Sequence, residues 1–236
     1  MAKFPIIILH GWGLRGSTYH KLAELLGKKG YRVYAPDLPG FGDEPLGKSS
    51  MDLDDYVGFV SSYLKKRKVR KAGFIGHSFG GRVAIKFAVK FPDRVDLLIL
   101  TGAPGIKHKL SFFRRVVMYV AVVFGELFGI RVLLPLKRVV RKGLYFLIGE
   151  WDYYNAGELR QTFKHIVSEA LQGYLPLITT PTLLLWGESD RVIPVSNARK
   201  MKDLIPNAKL VTIKGVGHKL PYEHSSLFLS AIGDLL

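Results

Sequence analysis

The sequence contains no cysteine in 236 residues. Disulfides, thiolate metal sites and a cysteine nucleophile are therefore excluded. Acidic residues are scarce: 19 Asp and Glu stand against 35 Lys and Arg, giving a net charge of +16. No uninterrupted apolar run approaches the roughly 18 residues of a spanning helix, so no stable membrane span is expected. Near the start, only Ile6, Ile7, Ile8 and Leu9 form an apolar run. A secretory signal needs roughly 7–15 such residues and a small-residue cleavage site, so a cytoplasmic protein is expected. Internal repeats and low-complexity tracts are also missing. What is present is 48% apolar residues, an ordinary globular content, in a length that fits one domain with a small insertion. The positive surplus has four readings: a solvated lysine-rich surface, or attraction to nucleic acid, anionic lipid or an acidic protein.

Strand-like and helix-like segments alternate. Short β-branched or apolar runs occur at 5–10, 31–36, 71–76, 95–101, 182–186 and 208–213. Helical patterns occupy 18–29, 53–66, 80–91, 195–204 and 222–235. Continuous apolar strands such as Leu97-Leu98-Ile99-Leu100 suit a parallel sheet covered on both faces. The fold class is α/β: a mostly parallel sheet of about six strands flanked by helices. The rhythm stops between 105 and 175, where no convincing strand appears. This stretch reads as a helical insertion, leaving 1–104 and 176–236 as the core. Its first part carries Lys107, Lys109, Arg114, Arg115, Arg131, Lys137, Arg138, Arg141 and Lys142 against Glu126 and Glu150. Three readings compete for its apolar run at 116–125: a cap helix over an active site, an interfacial helix with a basic flank, or the packing of a small second core.

The strongest chemical signal is Gly76-His77-Ser78-Phe79-Gly80-Gly81, between a strand pattern and a helix pattern. That is the setting of a G-x-S-x-G nucleophile elbow, which lifts the serine hydroxyl above the carboxyl edge of a sheet. A serine needs a base, and the base needs an acid to fix its tautomer. His218, in Gly215-Val216-Gly217-His218, follows the last strand pattern, and Asp190 follows the one before it. The order Ser78, Asp190, His218 is that of one particular scaffold. Asp37, Asp43 and Glu188 are competing acids, and Asp190 also reads as a loop-capping residue. His218 has the alternative of a packed surface histidine. An oxyanion hole needs two converging N–H donors. Phe79, after the nucleophile, supplies one, and Trp12 in His10-Gly11-Trp12-Gly13 is the candidate for the other. The Trp12 indole then walls the acyl pocket or serves only as a core aromatic.

Taken together, HGWG at 10–13, DLPGFG at 37–42, GHSFGG at 76–81, WGESDRVIP at 186–194 and GVGH at 215–218 resemble the α/β-hydrolase superfamily over essentially the whole chain. The resemblance implies Ser78 as nucleophile, His218 as base, Asp190 as its orienting acid, Trp12 and Phe79 as oxyanion donors, and 105–175 as the helical cap. Within the superfamily, HGWG and the basic insertion are most similar to pimeloyl-carrier-protein methyl ester esterases, which implies an acidic carrier protein as a partner at the cap. The two strands that usually precede the HGxG strand have no counterpart here, so a trimmed sheet edge is expected.

The implied reaction is ester hydrolysis through an acyl-enzyme, with no metal or organic cofactor. Phe112, Phe113, Tyr119, Phe124 and Phe128 are candidate cap-lining residues for an apolar acyl or alcohol group. Serine at the elbow argues against epoxide hydrolases and haloalkane dehalogenases, which place Asp there. The alternatives are carbon–carbon bond hydrolysis with the same triad, a lactonase or amidase, a slow-turnover ligand-binding protein, and lipid or nucleic-acid binding through the basic insertion. No groove-reading motif or aromatic RNA signature is present, so nucleic acid is not expected.

Overall fold

The computed structural model describes residues 3–106 and 156–233. Six strands form one sheet: β1 (Ile6–Leu9), β2 (Val33–Tyr34), β3 (Ala72–His77), β4 (Val95–Thr101), β5 (Thr182–Gly187) and β6 (Ala208–Ile213). Their order is β2-β1-β3-β4-β5-β6, and every pairing is parallel. The helices are α1 (His20–Lys28), α2 (Leu53–Lys66), α3 (Phe79–Lys90), α4 (Arg160–Ser168), α5 (Val195–Leu204), α6 (Leu220–Glu223) and α7 (Ser225–Ile232). None of the described helices is long and apolar enough to cross a membrane.

Parallel pairing explains the helix placement. Right-handed crossovers put a helix on one face when the chain moves one way along the sheet and on the other when it reverses. The step from β1 to β2 runs opposite to all later steps. Accordingly Leu22 and Leu26 of α1 share a core with Phe228 and Ile232 of α7. That core packs on Ile6, Ile8, Ile75, Ile99, Leu183 and Leu185. Helices α2 and α3 pack against one another, and α3 covers β1, β3 and β4. β1, β3 and β5 are buried throughout, as continuous apolar runs require.

The edge strand β2 is two residues long and half-buried, too short to template another chain, which is one way natural sheets blunt an edge. Two helical patterns are interrupted. The segment read as 18–29 starts with a 3-10 turn at Gly16–Tyr19 before α1. The segment read as 222–235 breaks at His224, where the Ser225 hydroxyl donates to the Pro221 and Tyr222 carbonyls and competes with the backbone ladder.

Helices α1 and α2 end alike. Tyr31 N–H donates to Leu26 O at 3.2 Å, and Val69 N–H to Leu64 O at 2.9 Å, each a six-to-one closure over a left-handed residue. In α1 that residue is Gly30 (φ 87°); in α2 it is Lys68 (φ 57°). Glycine adopts this conformation freely, whereas a side chain there costs roughly 1–2 kcal/mol.

The chain forms two compact units, Met1–Lys107 with His165–Leu236, and His108–Lys164. Phe112, Phe113, Tyr119, Phe124, Phe128 and the basic residues from Lys107 to Lys142 lie outside the described residues. In the first unit, Arg82 of α3 donates to Pro104 O (2.7 Å), Ile166 O (2.8 Å) and Glu169 O (2.5 Å). Lys86 pairs with Glu169 (2.6 Å) and Asp54 (2.9 Å). Burial lowers the Lys86 pKa, but these carboxylates outweigh it and hold the ammonium charged.

Candidate active site

The strand order reverses between β1 and β3, and open α/β sheets place their sites at the carboxyl ends of strands beside such a reversal. Ser78 leaves β3 there with φ 51° and ψ −115°, a sparsely populated conformation of the kind that accumulates at functional sites. Its backbone N–H donates to Thr101 O at 3.0 Å, which ties the elbow to the end of β4. α3 begins at once with Phe79. Gly80 N–H donates to His10 O at 3.0 Å, and a Cβ at Gly80 would collide with the carbonyls of Leu9 and His10. Only glycine lets the helix start this close to the HGWG loop. The Trp12 and Phe79 rings meet edge to face at 5.5 Å, and Phe41 contacts both. The two candidate oxyanion donors therefore belong to adjoining backbone segments.

Asp190 and His218 come from the loops after β5 and β6. His218 Nδ1 lies 2.8 Å from Asp190 Oδ2. Asp190 Oδ1 accepts from the N–H groups of Val192 (2.9 Å) and Ile193 (2.8 Å). The Asp190 carboxylate thus holds the loop backbone through one oxygen and meets the His218 ring through the other. Trp186 Nε1–H donates to Ile193 O at 2.8 Å and braces the same loop. A Cβ at Gly102 would stand 2.6 Å from His218 Cε1. His218 therefore sits against Gly102, next to the Thr101 carbonyl that holds Ser78.

Two of the competing acids, Asp37 and Glu188, are engaged elsewhere. Asp37 accepts from Gly16 N–H (2.6 Å) and Asp43 N–H (2.9 Å). Burial pushes its pKa up, but these bonds outweigh it and hold it below its ordinary value. Glu188 accepts from the Thr212 hydroxyl at 2.8 Å on the surface.

Comparison with known proteins matches residues 6–231 to the model of the Alpha/beta hydrolase family. The chain belongs to the alpha/beta hydrolase family. It is 26% identical to 2-hydroxymuconate semialdehyde hydrolase of Pseudomonas sp. (strain CF600) over 250 residues, covering 100% of this chain and 87% of that one. It is 27% identical to pimeloyl-[acyl-carrier protein] methyl ester esterase of Shewanella woodyi over 252 residues, covering 98% and 93%. A solved meta-cleavage product hydrolase from Pseudomonas fluorescens IP01 superposes with a TM-score of 0.70 at 24% identity, covering 98% of this chain and 89% of that one, which shows the shared fold.

In this hydrolase a hydrogen-bonded chain joins the HGWG loop to the histidine loop. Gly11 N–H donates to the Tyr19 hydroxyl at 3.1 Å. Tyr19 Oη lies 2.6 Å from His77 Nδ1, and His77 Nε2 lies 3.0 Å from His218 O. A carbonyl only accepts, so Nε2 carries the proton and Nδ1 accepts from the tyrosine. Burial pushes the His77 pKa down to about 3, and the adjacent His218 adds to the shift. The imidazole is therefore neutral. His10 is likewise buried, with its pKa lowered by that burial, and accepts from Leu38 N–H at 2.8 Å, joining β1 to the 37–42 loop. Sequence reading placed His10 and His77 in motifs flanking the site but gave no sign of Tyr19. Its spacing within a helical pattern is that of any core aromatic.

Proposed function

We propose that this hydrolase cleaves carboxylic esters through an acyl-enzyme formed on Ser78. The observation that carries the reading is the convergence on Thr101–Gly102. Ser78 is hydrogen-bonded to this turn on one side, and His218, already bonded to Asp190, sits against it on the other. His218 takes the Ser78 proton as Oγ attacks the ester carbonyl. The carbonyl electrons move onto oxygen, which the Phe79 and Trp12 N–H groups receive. Collapse expels the alkoxide, which takes the proton from His218 and leaves as the alcohol. Water then attacks the acyl-enzyme, giving its proton to His218. The second collapse releases the acid and returns that proton to Ser78. Asp190 holds the tautomer and the transient imidazolium throughout. Loss of one oxyanion donor typically raises the barrier by about 3–4 kcal/mol.

The proposal extends to a cytoplasmic enzyme acting on an ester with an apolar group, lined by Phe112, Phe113, Tyr119, Phe124 and Phe128. An acidic carrier protein docks on the basic residues of the insertion. The likeness to a carrier-protein methyl ester esterase supports this reading.

A second reading is carbon–carbon bond hydrolysis of vinylogous diketones by the same triad, supported by the comparable likeness to 2-hydroxymuconate semialdehyde hydrolase. One experiment separates them: turnover of p-nitrophenyl esters from acetate to decanoate and of a vinylogous diketone, each beside Ser78→Ala. Ester turnover that disappears in Ser78→Ala supports the esterase. Diketone turnover without ester turnover replaces it with the second reading, and ester turnover surviving in Ser78→Ala removes the nucleophile assignment. For the carrier, reversing Arg138, Arg141 and Lys142 to Glu slows carrier-bound esters and spares soluble ones. Equal effects on both remove the partner.

A further inference from the structure

Strands β2, β1 and β3 are neighbours and parallel, so the segments leading into them meet at one sheet edge. Backbone bonds hold these approaches together: Ile6 N–H donates to Arg32 O, and Gly73 N–H to Pro5 O, both at 2.8 Å. Lys3 leads into β1. Lys28, Lys29 and Arg32 lead into β2. Lys65, Lys66, Lys68, Arg70 and Lys71 lead into β3. All nine side chains are exposed. Of these nine, only Lys28, with Glu24, and Lys71, with Asp96, are ion-paired to a described residue. Lys68 occupies the left-handed position that α1 gives to Gly30, so a charge stands where the backbone favours no side chain.

We propose that this amino edge docks the protein on an anionic lipid surface. Seven of the nine cations are lysines, flexible point charges without the planar fork by which arginine reads a fixed phosphate or carboxylate. They suit a fluid plane of headgroups, to which clustered cations add attraction one by one. A single-stranded nucleic acid needs exposed rings between the charges, but Tyr31 at this edge is buried and Lys3 covers its ring at 4.2 Å. The exposed large apolar side chains among the described residues, Val167, Leu177, Val192 and Leu227, belong to other segments. The contact is therefore electrostatic, without insertion, and screened by salt. Ser78 stands at the opposite end of β3, six residues away and some ~20 Å distant at about 3.3 Å per residue. Docking leaves the catalytic edge facing water, and the inference does not depend on which bond the site cleaves.

The test is co-sedimentation with phosphatidylcholine vesicles, with and without one part in three of phosphatidylserine, beside retention of a short DNA duplex. The protein is expected to bind the anionic vesicles, ignore the neutral ones and release at high salt. K65E/K66E/R70E is expected to lose binding by roughly a hundredfold. R138E/R141E/K142E, which changes the net charge equally, is expected to keep binding within a few-fold. K65Q/K66Q/R70Q repeats the comparison should the reversal disturb folding, checked by circular dichroism. Three results overturn the proposal: no binding of the unaltered protein to anionic vesicles, equal or greater loss in the insertion variant, or tighter binding to duplex DNA than to vesicles at equal anionic charge.

Discussion

Asp190 divides its carboxylate between two tasks, and the division makes a sharp prediction. In Asp190→Asn the Val192 and Ile193 N–H groups still require an acceptor, so the amide oxygen takes the Oδ1 place. The NH₂ is then turned toward His218 Nδ1, which favours the wrong tautomer. Activity is expected to fall about 10³–10⁴-fold with little change in melting temperature. Asp190→Ala removes the acceptor as well and should lose stability too, by about 1–3 kcal/mol. Equal melting temperatures for the two variants would refute the shared role. His77 carries a second prediction. The unfolded imidazole takes a proton near 6.5, whereas the folded one, buried against Tyr19, His218 and Tyr222, stays neutral down to about 3. Its share of stability is present above 6.5 and is lost as pH falls toward 3, at up to about 1.4 kcal/mol per pH unit. Urea unfolding at pH 7 and pH 5 should show a smaller loss in His77→Gln, and parallel behaviour would discard this account. The places of Ser78, Asp190 and His218 just beyond strand ends were legible in the sequence because glycines and a fixed chain order frame them. Tyr19 was not, because its partners lie in Gly11 and His77 and nothing local marks them.

At the scale of elements, α2 was readable to the residue because its start is encoded by side chains. Asp52 accepts from Asp55 N–H at 3.0 Å while Asp55 accepts from Asp52 N–H at 2.9 Å, a reciprocal cap. Asp52→Ala should cost about 1 kcal/mol, read as a lower urea midpoint with an unchanged slope. The other end of the helix predicts the reverse: Lys68→Gly should raise stability by about 0.5–1 kcal/mol, since left-handed strain is relieved against a modest gain in unfolded-chain entropy. A destabilised glycine variant would show that Lys68 contributes more than its backbone costs. The break between α6 and α7 was hidden in the sequence, because the apolar spacing continues across it and only the Ser225 hydroxyl diverts the chain.

For the whole molecule, the sheet was legible because parallel strands buried on both faces must be apolar throughout, and that pattern is rare outside this architecture. The distribution of charge was not legible in the same way. Reading along the chain locates a basic surplus between 107 and 142, where nine cations follow one another. A comparable nine are scattered through three short segments, and only the crossover topology gathers them at the amino ends of β1, β2 and β3. Because every strand runs the same way, the end of the sheet proposed as reactive lies opposite the charged one. Where the amino edge outcompetes the basic insertion, a negatively charged chromatography bead grips the protein there and leaves Ser78 turned toward the flowing buffer. The column that purifies the protein would then serve as a reactor.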